Sequence, residues 1–219
     1  MKRKGKRILL AGGILLASFA VWTVLIQIAD VQSIGQNGTD IGFATLNSWF
    51  HKLTGVHMVV YTITDWLGLI PLFICMIFAA MGIVQLVKRK GLLKVDYDIL
   101  VLGIYYIIVI FAYFIFEMIP INYRPILIEG RMEASYPSST TLLVLSVMPT
   151  LVFQVNRRLE NVVFKGMICI PAYIFSVFIV IGRLVSGVHW FTDIVGSILF
   201  SIGIFCVYKA IVLLHYKEG

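Results

Sequence analysis

Six long apolar segments determine the fold that this chain can adopt. The first runs from Ile8 to Ile28, 21 residues without a charge. A helix of about 20 apolar residues is long enough to cross the hydrocarbon core of a bilayer. Five further segments are similar: 66–87, 99–119, 138–156, 166–185 and 193–214. Only 13% of the residues are charged, about half the share usual in a soluble domain. The sequence therefore predicts an all-α polytopic membrane protein with six transmembrane helices, in a single domain over residues 1–219.

The basic residues predict how these helices are oriented. Fourteen of the 18 lysines and arginines lie in the N-terminal tail, in the loops after the second and fourth segments, or at the end of the sixth. The other four lie towards the opposite side: Lys52, Arg124, Arg131 and Arg183. Because cytoplasmic loops are rich in lysine and arginine, we expect both termini in the cytoplasm and the first segment retained as an uncleaved signal anchor. The net charge of +7 then reflects topology, and we expect no nucleic-acid partner.

The longest stretch outside the predicted membrane helices covers about 29–65, on the predicted outer side. Within it, apolar residues recur at helical spacing: Phe43, Leu46, Phe50 and Leu53. This pattern predicts an amphipathic helix that lies on the outer leaflet. The alternative is an unstructured loop with scattered aromatic residues.

Two polar clusters lie on the same predicted outer side, at the ends of apolar segments. They are Arg124-Pro125 with Tyr136-Pro137-Ser138-Ser139, and Gly182-Arg183 with His189 and Asp193. Ionisable residues are costly at a membrane boundary and usually have a function there. Hydroxyl residues at the start of the fourth segment can cap its helix, and a helix N-terminus also attracts anions. Capping alone would explain the serines if they stood by themselves.

His189 and Asp193 are four residues apart, so that one helix would place both on the same face. The carboxylate could then hold one imidazole nitrogen and leave the other free as a nucleophile. A histidine at a membrane interface is more often structural, and Trp190 beside it suits an aromatic belt equally well. Taken together, two arginines, a helix start and a His–Asp pair indicate a site that binds a phosphate and breaks its ester or anhydride bond.

This pattern resembles the type 2 phosphatidic acid phosphatase superfamily of membrane lipid phosphatases. The family has three motifs, Lys-x6-Arg-Pro, Pro-Ser-Gly-His and Ser-Arg-x5-His-x3-Asp. The matching residues are Arg124-Pro125 in the first motif, Pro137-Ser138 in the second, and Arg183, His189 and Asp193 in the third. The resemblance covers segments three to six directly, and the six-helix topology fits the whole chain.

The resemblance implies a role for each matching residue. His189 would attack phosphorus and form a phosphohistidine, and Asp193 would orient it. The phosphate oxygens would be held by Arg124, Arg183 and Ser138, with backbone N–H groups near Ser139. Arginine suits this task because it binds phosphate bidentately and stabilises charge in the transition state. Neither cluster contains a metal-ligand set, so that we expect no metal and no cofactor.

Three positions depart from the family pattern. Glu117 replaces the lysine of the first motif, Thr140 the histidine of the second, and Gly182 the serine of the third. Glu117 should weaken phosphate binding unless it pairs with an arginine. In the family, the second-motif histidine protonates the leaving group, and the loss of a general acid typically costs about 10²- to 10⁴-fold in rate.

The missing acid has a consequence for the choice of substrate. The rate of hydrolysis should fall more for a lipid monophosphate than for a lipid diphosphate, because an alkoxide is a poorer leaving group than a phosphate. This preference would disappear if another residue supplied the proton. Three residues on the predicted outer side could do so: His57, Glu129 and Glu133.

The sequence therefore predicts a hydrolase, a lipid phosphatase of the cell membrane whose site faces the extracytoplasmic side. The chain looks bacterial, and its expected partners are the membrane lipids and a phosphorylated lipid substrate, either a polyprenyl diphosphate or a phospholipid phosphate. The alternative is a catalytically impaired relative that binds or moves a phosphorylated lipid, because the arginines remain while the acid is missing. An unrelated transporter or membrane scaffold is a third hypothesis. The oligomeric state is left open.

Overall fold

A computed structural model describes residues 2–216 of the chain. Its eight α-helices are α1 (Lys2–Ile28), α2 (Ala44–Thr54), α3 (Met58–Leu67), α4 (Leu69–Arg89), α5 (Tyr97–Met118), α6 (Ser139–Arg158), α7 (Val162–Val185) and α8 (Phe191–His215). Two short 3₁₀ turns, Gln36–Gly38 and Leu92–Lys94, lie in the connections. No strand forms within the described residues, and the predicted all-α fold is confirmed.

The six predicted membrane helices are also confirmed. Six helical stretches are long and apolar enough to span a bilayer, namely α1, α3 with α4, α5, α6, α7 and α8. The second stretch differs most from the prediction, since it begins at Met58 rather than at 66. Its polar residues fit a helix because Thr62 and Thr64 donate their hydroxyls to the carbonyl oxygens of Met58 and Val60, four residues earlier.

The predicted outer stretch of 29–65 therefore contains two helices, α2 and α3. Helix α2 docks onto the start of α8 through the buried Asn47, whose amide exchanges two hydrogen bonds with Thr192. Phe50 packs on Phe191 with ring centroids 4.9 Å apart, while Trp49 and Leu53 stay exposed. Contact of α2 with the outer leaflet stays a prediction.

Helix α6 lies at the centre of the bundle, against α4, α5, α7 and α8. Every fourth residue along it makes a polar contact with α5 or α8, and we call this row the α6 stripe. Its pairs are Ser138 with Ser197, Leu142 with Ser201, Ser146 with Tyr105, Thr150 with Tyr106, Gln154 with Tyr208, and Arg158 with Asp98. Polar contacts orient helices in lipid, where apolar surface gives little preference between faces. The α6 stripe therefore fixes which face of α6 turns inward.

An ion-pair cluster closes the end of the bundle that is remote from Ser138. The buried carboxylate of Asp98 accepts hydrogen bonds from Arg158 Nη2 on both oxygens, each at 3.0 Å. Arg157 Nε approaches the same carboxylate at 3.6 Å. Because a buried charge is stable only when it is paired, this cluster holds the start of α5 against the end of α6.

Candidate active site

The start of α6, the end of α7 and the start of α8 meet at one end of the bundle. There the structure brings together the five motif residues Arg124, Ser138, Arg183, His189 and Asp193, and all five are buried. Arg183 contacts His189, and the guanidinium carbons of Arg183 and Arg124 lie 4.9 and 5.6 Å from the centre of one tyrosine ring, that of Tyr61. Residues from three separate sequence motifs therefore form one cluster.

The contacts of His189 define its tautomer and its charge. Nδ1 lies 3.1 Å from the backbone oxygen of Ser135, and Nε2 lies 2.9 Å from Arg183 Nη2. Because a carbonyl only accepts and a guanidinium only donates, Nδ1 carries the proton and Nε2 has the lone pair. Burial, together with the positive charges of Arg183 and Arg124, holds the pKa of His189 well below its usual value. The imidazole is therefore neutral, with its lone pair directed towards Arg183.

Asp193 holds this imidazole less directly than the sequence suggested. Its Oδ2 lies 3.8 Å from His189 Nδ1, which is too long for a hydrogen bond. The same oxygen accepts a hydrogen bond of 2.8 Å from the backbone N–H of Trp190 and another from the hydroxyl of Ser135. Asp193 thus caps α8 and orients Ser135, which in turn holds the ring.

The turn between α7 and His189 is fixed by the segment around Gly55. Gly187 has a φ of 69°, and a β-carbon there would lie 1.9 Å from the carbonyl oxygen of Gly55. A side chain at 187 is therefore excluded both by backbone conformation and by space. His57 N–H donates to Ser186 O at 2.9 Å, and the carbonyl oxygen of Gly187 is 3.2 Å from His51 Nε2. These contacts set the position of the chain just before His189.

Arg183 is completely buried, and its guanidinium links His189 to Asp65. Nη2 contacts His189, while Nη1 lies 3.4 Å from Asp65 Oδ1 on α3. Its Nε has no hydrogen-bond partner among the described residues. A guanidinium in this setting can bind a phosphate bidentately.

Arg124 comes from the loop after α5, and three groups hold its side chain. Nη2 pairs with Glu133 at 3.1 Å, Nη1 contacts the Tyr61 hydroxyl at 3.3 Å, and Nε contacts the carbonyl oxygen of Ala134 at 3.4 Å. The backbone N–H of Arg124 also donates to Glu133 O at 3.1 Å. The loop therefore turns back on itself and directs Arg124 towards Arg183.

The N-terminus of α6 contributes backbone donors rather than a serine hydroxyl. Ser138 is the N-cap residue, but its hydroxyl donates to Thr141 Oγ1 at 3.1 Å instead of to a free backbone N–H. Its own N–H lies 3.4 Å from the backbone oxygen of Asp193. Ser139 begins the helix and is half-buried. The first turn of α6 can thus offer N–H groups to an anion, as expected near Ser139.

Two of the three departures from the family motifs lie where α3 and α4 pack against the site. A β-carbon on Gly182 would lie 2.6 Å from Thr64 Cγ2, so that the motif serine would need the Thr64 side chain to shift. Thr140 is buried, and a β-carbon on Gly68 would lie 2.9 Å from its Cγ2. Glu117, the third departure, is exposed near the end of α5, and it forms no ion pair within residues 2–216.

The sequence missed three residues that contact the site: Tyr61, Asp65 and Ser135. Tyr61 and Asp65 lie on α3, which the apolar pattern had assigned to the outer stretch. Asp65 stands directly before the apolar run that begins at 66. Its position was the available signal, because ionisable residues at a membrane boundary usually have a function. Ser135 acts through its backbone oxygen and hydroxyl, and no motif marks it. Among the described residues, no three His, Cys, Asp or Glu side chains lie together as metal ligands would.

Comparison with known proteins identifies the fold and the family. The chain is similar in fold to the crystal structure of a transmembrane PAP2-type phosphatidylglycerolphosphate phosphatase from Bacillus subtilis, with a TM-score of 0.65 and 17% identity, over 94% of this chain and 98% of that one. No curated protein matches the chain. The family model of the PAP2 superfamily matches residues 99–217, more than half of the sequence, and includes all three motifs. The chain therefore belongs to the PAP2 superfamily, as its motifs had indicated.

Proposed function

We propose that this protein is a lipid phosphatase that hydrolyses a polyprenyl diphosphate or a phospholipid phosphate through a phosphohistidine on His189, at the extracytoplasmic face of the cell membrane. The observation that carries the proposal is the contact between the neutral, buried His189 Nε2 and Arg183. A nucleophile needs a lone pair, and a phosphate needs positive charge and donors. The lone pair of Nε2 faces Arg183 Nη2 at 2.9 Å, so that a phosphate bound by Arg183 would lie next to it. Membership of the PAP2 superfamily supports the same conclusion.

The geometry suggests how the first step would proceed. Nε2 of His189 attacks phosphorus and the bond from phosphorus to the leaving oxygen breaks, while Arg183 and Arg124 stabilise the charge on the phosphoryl oxygens. The ring becomes positively charged as the P–N bond forms. Its Nδ1–H stays with the Ser135 oxygen, and the Asp193 carboxylate 3.8 Å away stabilises that charge. Water then attacks phosphorus, and the bond to His189 breaks.

Phosphate release tests the proposal directly. The purified protein in detergent micelles is expected to release inorganic phosphate from at least one of three substrates, a prenyl diphosphate, the monophosphate of the same prenyl alcohol, and phosphatidylglycerol phosphate. Release would be measured at matched substrate concentrations and protein amounts. If the folded protein turned over none of them, the enzymatic proposal would be wrong.

The impaired relative is the second candidate, and the observation that favours it is Thr140. The two arginines would still bind a phosphorylated lipid, but no covalent adduct would accumulate. Brief incubation with a substrate radiolabelled on phosphorus, followed by alkaline denaturation, separates the two candidates. The enzyme retains label at His189, whereas a binding protein retains none.

The extracytoplasmic location of the site predicts the labelling of Arg131, an exposed residue of the loop after α5. In intact cells, Arg131→Cys is expected to react with a membrane-impermeant maleimide, because the basic residues place this loop outside. The control is Lys94→Cys, in the connection before α5, which should react only after permeabilisation. The wild type gives the background of Cys75, Cys169 and Cys206, which lie within helices. The opposite pattern of labelling would reverse the orientation.

A further inference from the structure

Asp65 is the one carboxylate of the described chain that contacts Arg183. Its Oδ1 lies 3.4 Å from Arg183 Nη1. The Asp65 side chain is 53% exposed, whereas that of Arg183 has no exposed surface. Asp65 thus extends from the buried Arg183 to the surface of the protein.

Two close contacts hold α3 in this position. Thr64 packs directly on Gly182 of α7, and Gly68 packs directly on Thr140 of α6. Asp65 lies between these two contact points, and its carbonyl oxygen accepts a hydrogen bond of 3.0 Å from Gly68 N–H. Because Thr140 takes the motif position of the histidine acid, the stretch that carries Asp65 packs, through Gly68, on the residue where that acid is missing.

Arg183 separates Asp65 from the nucleophile. One terminal nitrogen of its guanidinium contacts His189 Nε2, and the other contacts Asp65. In phosphoryl transfer, the attacking and leaving atoms lie on opposite sides of phosphorus. A phosphate bound by Arg183 would therefore lie near His189 through one terminal nitrogen and near Asp65 through the other.

The three replacement acids that the sequence offered are placed differently. Glu133 pairs with Arg124 at 3.1 Å. Glu129 is exposed in a turn, with a φ of 50°. His57 Nε2 is 2.9 Å from the carbonyl oxygen of Thr54, within its own loop. None of these three contacts Arg183, so that the geometry favours Asp65.

We propose that Asp65 is a further catalytic residue, the general acid that protonates the leaving oxygen in place of the motif histidine. This inference rests on the function proposed for the same site. This role requires the carboxyl of Asp65 to carry a proton when the substrate is bound. As Nε2 of His189 bonds to phosphorus, the bond from phosphorus to the leaving oxygen breaks, and that oxygen takes the proton from Asp65.

The second step breaks the P–N bond. Water attacks phosphorus, the electron pair of that bond returns to His189, and both protons of the water stay on the released phosphate. Asp65, which is 53% exposed, takes its own proton back from solvent. The products are the lipid alcohol and phosphate, or for a diphosphate the lipid monophosphate and phosphate. With Asp65 as the acid, the wild type cleaves monophosphates in spite of Thr140.

Asp65→Asn tests the inference because it keeps the size of the side chain and removes the proton donor. For a prenyl monophosphate, kcat is expected to fall about 10²- to 10⁴-fold. For the diphosphate of the same alcohol, kcat should fall by about tenfold or less, because phosphate leaves with little protonation. KM should change little for both. The matched control is Glu133→Gln, which alters the partner of the other arginine and should affect both substrates in the same proportion.

A second variant distinguishes proton transfer from the positioning of Arg183. Thr140→His added to Asp65→Asn restores the motif acid, and it should recover monophosphate turnover at least about tenfold over Asp65→Asn alone. An equal loss on both substrates, no loss on either, or a folded double variant without recovery would overturn the role of Asp65 while the phosphatase itself stands. A wild type that releases phosphate from no substrate would overturn the proposed function, and this inference with it.

Discussion

Alanine in place of His189 is expected to lower phosphate release by about 10⁴-fold or more, for monophosphates and diphosphates alike. The reason is that Nε2 of His189 is the proposed nucleophile, and no other imidazole of the described residues contacts Arg183. The remaining arginines would still bind substrate, so that KM should change far less than kcat. Binding without turnover is thus the expected state of this variant.

Initial rates and adduct trapping together measure this effect. His189→Ala should show neither steady-state release nor retained label, whereas the wild type shows both. The matched control is His215→Ala, because His215 stacks on Tyr97 at the other end of the bundle, with ring centroids 3.6 Å apart. His215→Ala should keep wild-type activity. Appreciable turnover by folded His189→Ala would exclude the phosphohistidine mechanism.

The environment of His189 also predicts part of the pH dependence. Burial and two nearby arginines lower the pKa of His189, so that the neutral, nucleophilic form persists as the pH falls through about 6.5, the ordinary value for histidine. Activity on a diphosphate should therefore not decline in that range through protonation of the nucleophile.

Lysine in place of Arg183 is expected to lower kcat by about 10²- to 10³-fold. Lysine keeps the positive charge, but its ammonium group is a point charge without the planar fork of arginine. It cannot contact His189 and Asp65 through two separate nitrogens or bind two phosphate oxygens in parallel. Both substrates should lose rate, because the charge on the phosphoryl oxygens develops in both reactions.

Rates of phosphate release, compared at equal amounts of folded protein, measure this second effect. Since Arg183 is fully buried, folding must be checked by thermal unfolding and gel filtration. Arg131→Lys is the matched control, because Arg131 is exposed and lies outside the cluster. If Arg183→Lys retained wild-type kcat, bidentate binding by Arg183 would not contribute to the transition state.

The helices and the motif residues could be predicted because they depend on local pattern. The apolar run from Ile8 to Ile28 must satisfy its backbone within a helix wherever lipid surrounds it. Arg183, His189 and Asp193 keep a fixed spacing along the chain, so that they are visible without a structure. Their convergence with Arg124 also followed from the shared side of the membrane.

Contacts that depend on packing between helices could not be predicted. Asp65 reaches Arg183 because Thr64 packs on Gly182 and Gly68 packs on Thr140, and no local pattern relates these positions. Thr62 and Thr64 made the start of α3 look like a loop, although their hydroxyls bond within the helix. The sequence likewise suggested a direct contact of Asp193 with His189, but the Ser135 oxygen takes that place.

The α6 stripe has a consequence for how this site can change over time. Five of its contacts, from Leu142 to Arg158, lie below the first turn and do not involve residue 140. Each interhelical hydrogen bond in a membrane contributes about 0.6 kcal/mol, so that the loss of any one is small against the sum. Several contacts therefore hold the helix. Its N-terminal turn can accept a threonine at position 140 in place of the motif histidine and keep its position beside the phosphate-binding residues. The catalytic residues at this end of the bundle can then change while the packing of the helices stays the same.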